Sequence, residues 1–187
     1  MRRLIILTAA PLALAACDTG KTVKAENASI AEVAEAVKGA TKFEPGQWEN
    51  TVTVLSAEAP GLPPQMADMM KKQMATASAR TSSSCMTKEM ADKPGGEMFA
   101  GKDNGQCRYE RFEMGGGKID GVMVCKGAGA QGGEMRMTMA GNFTAATYDM
   151  TSDMTMSLAG ATGGPAAMKI KTRVAGKRVG ECAAVKG

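Results

Sequence analysis

The chain has 187 residues, of which 44% are apolar, 22% charged and 4% aromatic, a composition typical of a globular protein rather than a disordered one. It contains no histidine, which excludes Ser-His-Asp catalysis, Cys-His catalysis and imidazole metal sites. Methionine is unusually frequent, with 17 residues, and there are 23 glycines. We therefore expect one domain with an unusual core, no cofactor and no enzymatic activity.

The N-terminus predicts export. Residues 1–16 contain two arginines, an apolar run over residues 4–14 and two small residues, a pattern typical of a secretory signal peptide. The run is too short to cross a bilayer, which needs about 20 residues. The tetrapeptide Leu14-Ala15-Ala16-Cys17 resembles the lipobox of bacterial lipoproteins. That resemblance implies cleavage before Cys17 and acylation of its sulfur, so that lipid chains anchor the protein to a membrane.

The predicted location and the net charge limit the classes of partner that we expect. A signal peptide with a lipobox predicts a lipid-anchored periplasmic protein. Asp18 resembles the inner-membrane retention signal of enteric lipoproteins, and the choice between inner and outer membrane stays open. Cleavage removes two arginines and leaves 21 basic against 19 acidic residues. We therefore expect no nucleic-acid partner, but a membrane contact through the anchor, with an apolar small molecule or an envelope protein as further partners.

We expect residues 17–42 to form the acylated N-terminus, a polar tether and a short helix, and residues 43–187 to form a single disulfide-stapled domain. The helix is predicted from Ser29 as N-cap, Glu32 as its capping-box partner and Gly39 as its stop. Its apolar face is mostly alanine and valine, which favours a place in the tether rather than in the core.

The rest of the chain predicts an α+β fold: a curved antiparallel sheet of six or seven strands with one packed amphipathic helix, and partial closure into a barrel as an alternative. Strands are predicted where apolar and polar residues alternate, around residues 48–54, 80–86, 105–125, 135–139, 147–158 and 168–174. If the last hairpin turns near Thr162, Asp153 faces Lys171. Thr155 then faces Lys169.

Four cysteines remain after the acylated one is set aside, and an oxidising compartment favours disulfides. A hairpin turning at glycines 115–117 places Cys107 opposite Cys125, because residue 116 is the midpoint between them. Elimination then pairs Cys85 with Cys182. The absence of a C-x2-C spacing argues against a thiolate metal site or a redox pair.

Methionines dominate the predicted apolar faces. They recur at helical spacing in a helix predicted over residues 63–77, which should lie on the sheet, and at alternate positions in the later strands. Methionine is an adaptable core residue and also lines grooves that accept varied apolar partners. The candidates for an apolar ligand site or for the core are Met66, Met70, Met74, Met137 and Met154.

Two alternatives use other chemistry. The spacings Met-x-x-Met from residue 66 and Met-x-Met from residues 135 and 154 suit a soft Cu(I) or Ag(I) ion. Asp149 and Asp153 share one strand face, and paired carboxylates can hydrolyse substrates without histidine. Because a lysine- and arginine-rich strand follows, we favour an ion-paired solvent face for this pair.

Short motifs along the domain resemble one family, the uncharacterised proteobacterial family described as domain of unknown function 3617. They are Gly46-Gln47-Trp48, Cys85-Met86-Thr87-Lys88-Glu89, Cys107, Cys125 and Arg178-Val179-Gly180-Glu181-Cys182. The resemblance covers about residues 43–184 and implies a small periplasmic or lipoprotein domain; it brings no catalytic residues. We therefore expect a non-catalytic lipoprotein that acts by binding, with an apolar ligand or peptide, or by envelope maintenance.

Overall fold

The structure is a computed structural model and describes residues 21–40, 42–76, 79–92, 106–128, 133–159 and 165–183. The predicted signal peptide, the acylation site at Cys17, Asp18 and the turn at Thr162 lie outside these ranges.

The described chain forms one antiparallel sheet with three short helices. The strands are β1 (Val23–Ser29), β2 (Gly46–Glu58), β3 (Ala79–Met86), β4 (Cys107–Gly115), β5 (Lys118–Ala128), β6 (Gly133–Phe143), β7 (Thr147–Ala159) and β8 (Pro165–Gly180). The helices are α1 (Ile30–Ala36), α2 (Pro64–Thr76) and α3 (Lys88–Asp92). The strand order is β1-β4-β5-β6-β7-β8-β2-β3.

This architecture confirms the expected antiparallel sheet with helices. It has eight strands rather than six or seven, and among the described strands the two at its ends, β1 and β3, do not pair, so the sheet is open. In the β7–β8 pairing, Asp153 lies opposite Lys171 and Thr155 opposite Lys169, which confirms the register derived from a turn near residue 162.

The β4–β5 hairpin reaches its predicted cysteine pairing by two compensating features. Its turn has Gly116 and Gly117 at φ 57° and 73°, the left-handed values of a two-residue type I′ turn. That turn alone would shift the register by one residue, and a bulge at Glu110 restores it, so that Cys107 lies opposite Cys125.

Two disulfides staple the sheet in the predicted pairing. Cys107 and Cys125 join adjacent strands, with their Cα atoms 3.9 Å apart. Cys85 and Cys182 are 97 residues apart in sequence and join the edge strand β3 to the chain just after β8, across the end of β2, with a Cα separation of 5.4 Å. The second bridge closes the longer loop and should contribute more to stability.

The core lies on one side of the sheet, the inner side, and combines side chains of β1 to β6 with those of α1 and α3. Its largest fully buried side chains are Trp48, Tyr109, Phe112, Met114, Val37 and Cys125. Helix α1 packs against β1 and β4 and buries Ile30 and Val33 there. The predicted capping box is present, since Ser29 Oγ accepts from the Glu32 amide and the Glu32 carboxylate accepts from the Ser29 amide.

The structure therefore starts the domain earlier than we expected. Residues 23–40, which we assigned to the tether region, supply an edge strand and the helix that covers the core. The strand alternation was hidden by Asn27, whose φ is 50°: Ala25 and Ala28, three positions apart, lie opposite the buried Phe112 and Tyr109. An edge strand with small inward residues and polar outward residues resembles a tether in composition.

Helix α2 differs from its predicted role. Its main contact is with β2, Met66 and Met69 are 45% and 58% exposed, and Met74 is half-buried. The side chain of Met70 lies outside the described residues. The core side of the sheet is instead covered by α1, whose branched residues offer a better packing surface than the methionine and lysine side chains of α2.

Candidate functional site

Methionine side chains from three neighbouring strands line the inner side of the sheet beyond the core. Residues directly opposite each other in antiparallel strands point to the same side. Met135 lies opposite Met156, and Met156 lies opposite Met168. We call this group the methionine face; it comprises Met135, Met137, Met150, Met154, Met156, Met168 and Ile170.

The methionine face is only partly covered. All of its side chains are half-buried, whereas Met123 and Met139, on the same side but within the core cluster, are 3% and 6% exposed. On the other flank, Val52 of β2, which lies opposite Val174 on the inner side, is 42% exposed. Helix α1 mainly contacts β1 and β4, and α2 mainly contacts β2. Because Val52 of β2 stays exposed beside α2, partly exposed apolar side chains extend across β6, β7, β8 and β2.

One polar pair lies within this surface. Ser152 and Thr172 face each other across β7 and β8, and their hydroxyl oxygens are 2.7 Å apart. One hydroxyl donates to the other, and the accepting hydroxyl keeps its own O–H donor, so the pair adds a polar point to the apolar surface.

An aromatic cluster closes the end of the surface nearest the core. The rings of Trp48 and Tyr148 stack with centroids 5.9 Å apart, and Phe43 meets the Trp48 ring edge-on at 5.6 Å. The Tyr148 hydroxyl donates to Asn50 Oδ1 at 2.7 Å, and burial raises the pKa of Tyr148. These contacts make a rigid floor beside the softer methionine face.

The carboxylates considered for hydrolysis lie on the opposite, outer side. Asp149 accepts hydrogen bonds from the Arg173 guanidinium, which hold the pKa of Asp149 below its usual value. Asp153 lies 3.4 Å from Lys171 Nζ. Because a general acid needs a raised pKa at neutral pH, the geometry favours the ion-paired solvent face.

A hollow of about 340 Å³ lies beside the Cys107–Cys125 disulfide. It is lined by Gln106, Cys107, Arg108, Val124 and Lys126. This hollow was not predicted from the sequence, because its two basic residues belong to different strands and are brought together only by the β4–β5 register.

The structure brings together some of the candidate residues and separates others. Met137 and Met154 lie opposite each other in the methionine face, whereas Met66 and Met74 belong to α2. The candidate set left out Met156 and Met168. The register that places Asp153 opposite Lys171 also places Met156 opposite Met168. This methionine pair could therefore have been predicted from the sequence.

The comparisons with known proteins give a family and no further relatives. The model of a family described as protein of unknown function, DUF3617, matches residues 43–182. The chain belongs to DUF3617. No curated protein and no solved structure matches the chain. Within the described ranges, none of the helices has the length and apolarity required to span a bilayer.

Several residues that carry the likeness to DUF3617 meet at one corner of the sheet. A Cβ on Gly46, whose φ is +144°, would lie 2.4 Å from the carbonyl oxygen of Gly180. Arg178 Nε donates to the carbonyl oxygen of Pro45 at 2.8 Å, and the long-range disulfide lies beside this contact. These contacts tie β2, β3 and β8 together, which gives this part of the family pattern a structural role.

Proposed function

We propose that this member of DUF3617 is a non-catalytic periplasmic lipoprotein that is anchored through acyl chains on Cys17 and takes an apolar ligand on its methionine face. The observation that carries the proposal is a half-exposed apolar surface adjoining a well-packed core. Contiguous exposed apolar surface on a soluble domain usually marks a binding site.

The dimensions of the surface suit a single acyl chain. From Met150 to Met156 the β7 backbone extends about 20 Å at the usual rise per residue, and the four strands β6, β7, β8 and β2 span about 14 Å. One leaflet of a bilayer core is about 15 Å thick. Methionine side chains adapt to ligands of varied shape because they are unbranched and polarizable.

The chain between the anchor and the domain is short. Cys17 and the first residue of β1, Val23, are six positions apart, a distance of at most about 20 Å in extended chain. Acylation of Cys17 would therefore hold the β1 edge of the sheet close to the membrane surface, where acyl-chain ligands are available.

The ligand is tested with the full chain extracted from membranes in mild detergent. Native mass spectrometry should show a co-purified molecule, and a fluorescent long-chain fatty acid should bind with one site per chain. A uniformly bare protein that fails to bind the fatty acid contradicts the proposal. Crosslinking to an envelope protein through the methionine face would replace the acyl ligand by a peptide partner.

Two adjacent substitutions localise the site. Met154→Glu puts a charge in the middle of the methionine face, whereas Thr155→Glu puts the same charge on the outer side of the same strand. We expect at least tenfold weaker fatty-acid binding for Met154→Glu and unchanged binding for Thr155→Glu. Equal affinities for the two variants would place the fatty acid elsewhere.

The anchor is tested separately by Cys17→Ser, which removes the sulfur that acylation requires. The variant should lose its membrane association and the mass of its lipid, and it should bind the fatty acid as the acylated chain does. Membrane association that survives the substitution contradicts the anchoring.

A further inference from the structure

Three thioethers lie side by side at one end of the methionine face. Met135, Met156 and Met168 occupy directly opposed positions in β6, β7 and β8, for which neighbouring Cβ atoms are about 5 Å apart. All three side chains are half-buried, so they are accessible to a small solute. Their sulfurs can converge because each methionine has three rotatable side-chain bonds.

A second row of thioethers supports the first. Met137 and Met154 lie opposite each other two residues further along β6 and β7, on the same side of the sheet. The two Met-x-Met motifs of the sequence therefore form one block on adjacent strands instead of two separate pairs. The motifs alone did not indicate this arrangement, because they are 19 residues apart in sequence.

The surroundings of the block favour a soft monovalent cation. Thioether sulfur is a soft, uncharged ligand that selects Cu(I) over harder ions. The basic residue between the β6 methionines, Arg136, points to the outer side and is paired with Glu110 at 2.8 Å. Among the described residues, no group of three or more Cys, Asp or Glu side chains is placed to hold a metal ion.

We propose that Met135, Met156 and Met168 form a binding site for Cu(I) or Ag(I), with Met137 and Met154 as neighbouring donors. The site uses one end of the methionine face and does not depend on an apolar ligand being bound there. No bond is made or broken except the coordination bonds from the three sulfurs, and the ion keeps its oxidation state.

Ag(I) is the probe of choice because it needs no reductant. The full chain, with both disulfides intact and any free thiol blocked by N-ethylmaleimide, is titrated with silver nitrate in chloride-free buffer. Native mass spectrometry should show one ion per chain with an affinity tighter than millimolar. In a chain labelled at the methionine methyl carbons, the signals of Met135, Met156 and Met168 should shift together.

Leucine variants separate this site from the other methionine motif. Met156→Leu keeps the size of the central side chain but removes its sulfur, and we expect at least tenfold weaker Ag(I) binding with an unchanged circular dichroism spectrum. The control, Met66→Leu with Met69→Leu, removes the exposed Met-x-x-Met pair of α2 and should bind as the native sequence does.

Three results would overturn the inference: no Ag(I) binding tighter than millimolar, native affinity in Met156→Leu, or loss of binding in the helix control. None of them bears on the apolar ligand, since fatty-acid binding is measured independently. If the protein binds fatty acid but not Ag(I), the proposed function stands and the metal site is wrong. If it binds Ag(I) but not fatty acid, the metal site stands and the apolar ligand is wrong.

Discussion

Replacing Gly176 by alanine should destabilise the domain, although alanine is normally favoured over glycine in a strand. Gly176 lies opposite Tyr148 in the β7–β8 pairing, and the tyrosine ring lies directly over it. A Cβ on Gly176 would be 2.4 Å from Cε1 and Cζ of Tyr148 and 2.7 Å from its hydroxyl oxygen. These distances are far below van der Waals contact, so the ring has to move.

The loss of stability in Gly176→Ala depends on the contacts that hold the Tyr148 ring in place. Tyr148 stacks on Trp48 at a centroid distance of 5.9 Å and donates to Asn50 at 2.7 Å. Losing an aromatic pair costs about 0.5–1.5 kcal/mol, and losing a hydrogen bond costs about 0.5–1.5 kcal/mol. Keeping the ring in place instead costs about 1–3 kcal/mol of overpacking. In either case we expect Gly176→Ala to lower the free energy of unfolding by about 2 kcal/mol. The same substitution at an uncrowded strand glycine would raise it by about 0.5–1 kcal/mol.

The assay uses the single tryptophan of the chain. Trp48 is 1% exposed, so its emission should shift to longer wavelength on unfolding in urea with both disulfides oxidised. The Gly176→Ala variant should unfold at a lower urea concentration with an unchanged slope, which identifies a change in stability rather than in the surface exposed.

A Tyr148→Ala background supplies the control, because it removes the ring that the new methyl group would strike. Adding Gly176→Ala to that background should be neutral or stabilising. The reasoning is refuted if Gly176→Ala alone costs less than about 1 kcal/mol, or if its cost is the same with and without the tyrosine ring.

Three smaller changes test local contacts. Tyr109→Phe should leave the free energy of unfolding unchanged or raise it by about 1 kcal/mol, because the buried Tyr109 hydroxyl has no hydrogen-bond partner within the described part of the chain; a clear loss would reveal one. Burial raises the pKa of Tyr109 to about 12, so stability present below pH 10 in the native sequence should fall as the pH approaches 12, and less so in the phenylalanine variant. Ser29→Ala should cost about 1 kcal/mol in a denaturant titration through loss of the α1 cap, and an unchanged midpoint would contradict the capping role. Asp149→Asn removes the pair with Arg173; because the folded pKa of Asp149 is lowered from 3.8, the difference from the native sequence should be present at pH 7 and shrink as the pH falls through that lowered pKa.

Hairpin registers were the most predictable part of the fold. In an antiparallel hairpin the turn position fixes which residues face each other, and polar and apolar parity fixes the side on which they lie. A turn near residue 162 therefore predicted the whole β7–β8 pairing. The cysteine pair of β4 and β5 was also predicted, although the bulge at Glu110 that completes its register has no signal in the sequence.

The N-terminal elements were harder to assign, for a physical reason. Periodicity identifies an apolar face, but the face that a helix finally covers depends on competition between helices. Helix α1 and its C-cap residue supply only Ile30, Val33 and Val37 as large apolar residues, yet all three are buried. Met66 and Met69 of α2 follow the more regular pattern yet stay largely exposed, because the core surface is already covered.

The difference between having an apolar face and having it covered also explains why the methionine face was only partly predicted. Alternation predicted correctly that Met135, Met154 and Met156 share one side of the sheet, but it cannot say how much of that side is covered. Burial changes within a single strand, since Met139 is a core residue while its neighbours two and four positions earlier are half-buried. Candidate binding residues are therefore found by combining parity with register and with the position of the covering helix.

Leucine is the substitution that separates the roles a half-buried methionine can have. It preserves apolar area and approximate volume but removes the thioether. If Met156 serves only in packing, Met156→Leu should change the free energy of unfolding by no more than about 1.5 kcal/mol. It should also leave the binding of fatty acid and of Ag(I) unchanged. If the residue serves an apolar ligand, fatty-acid affinity should persist in the leucine variant and fail in Met154→Glu. Only a role for sulfur predicts that Met156→Leu loses Ag(I) while it keeps both its stability and the fatty acid.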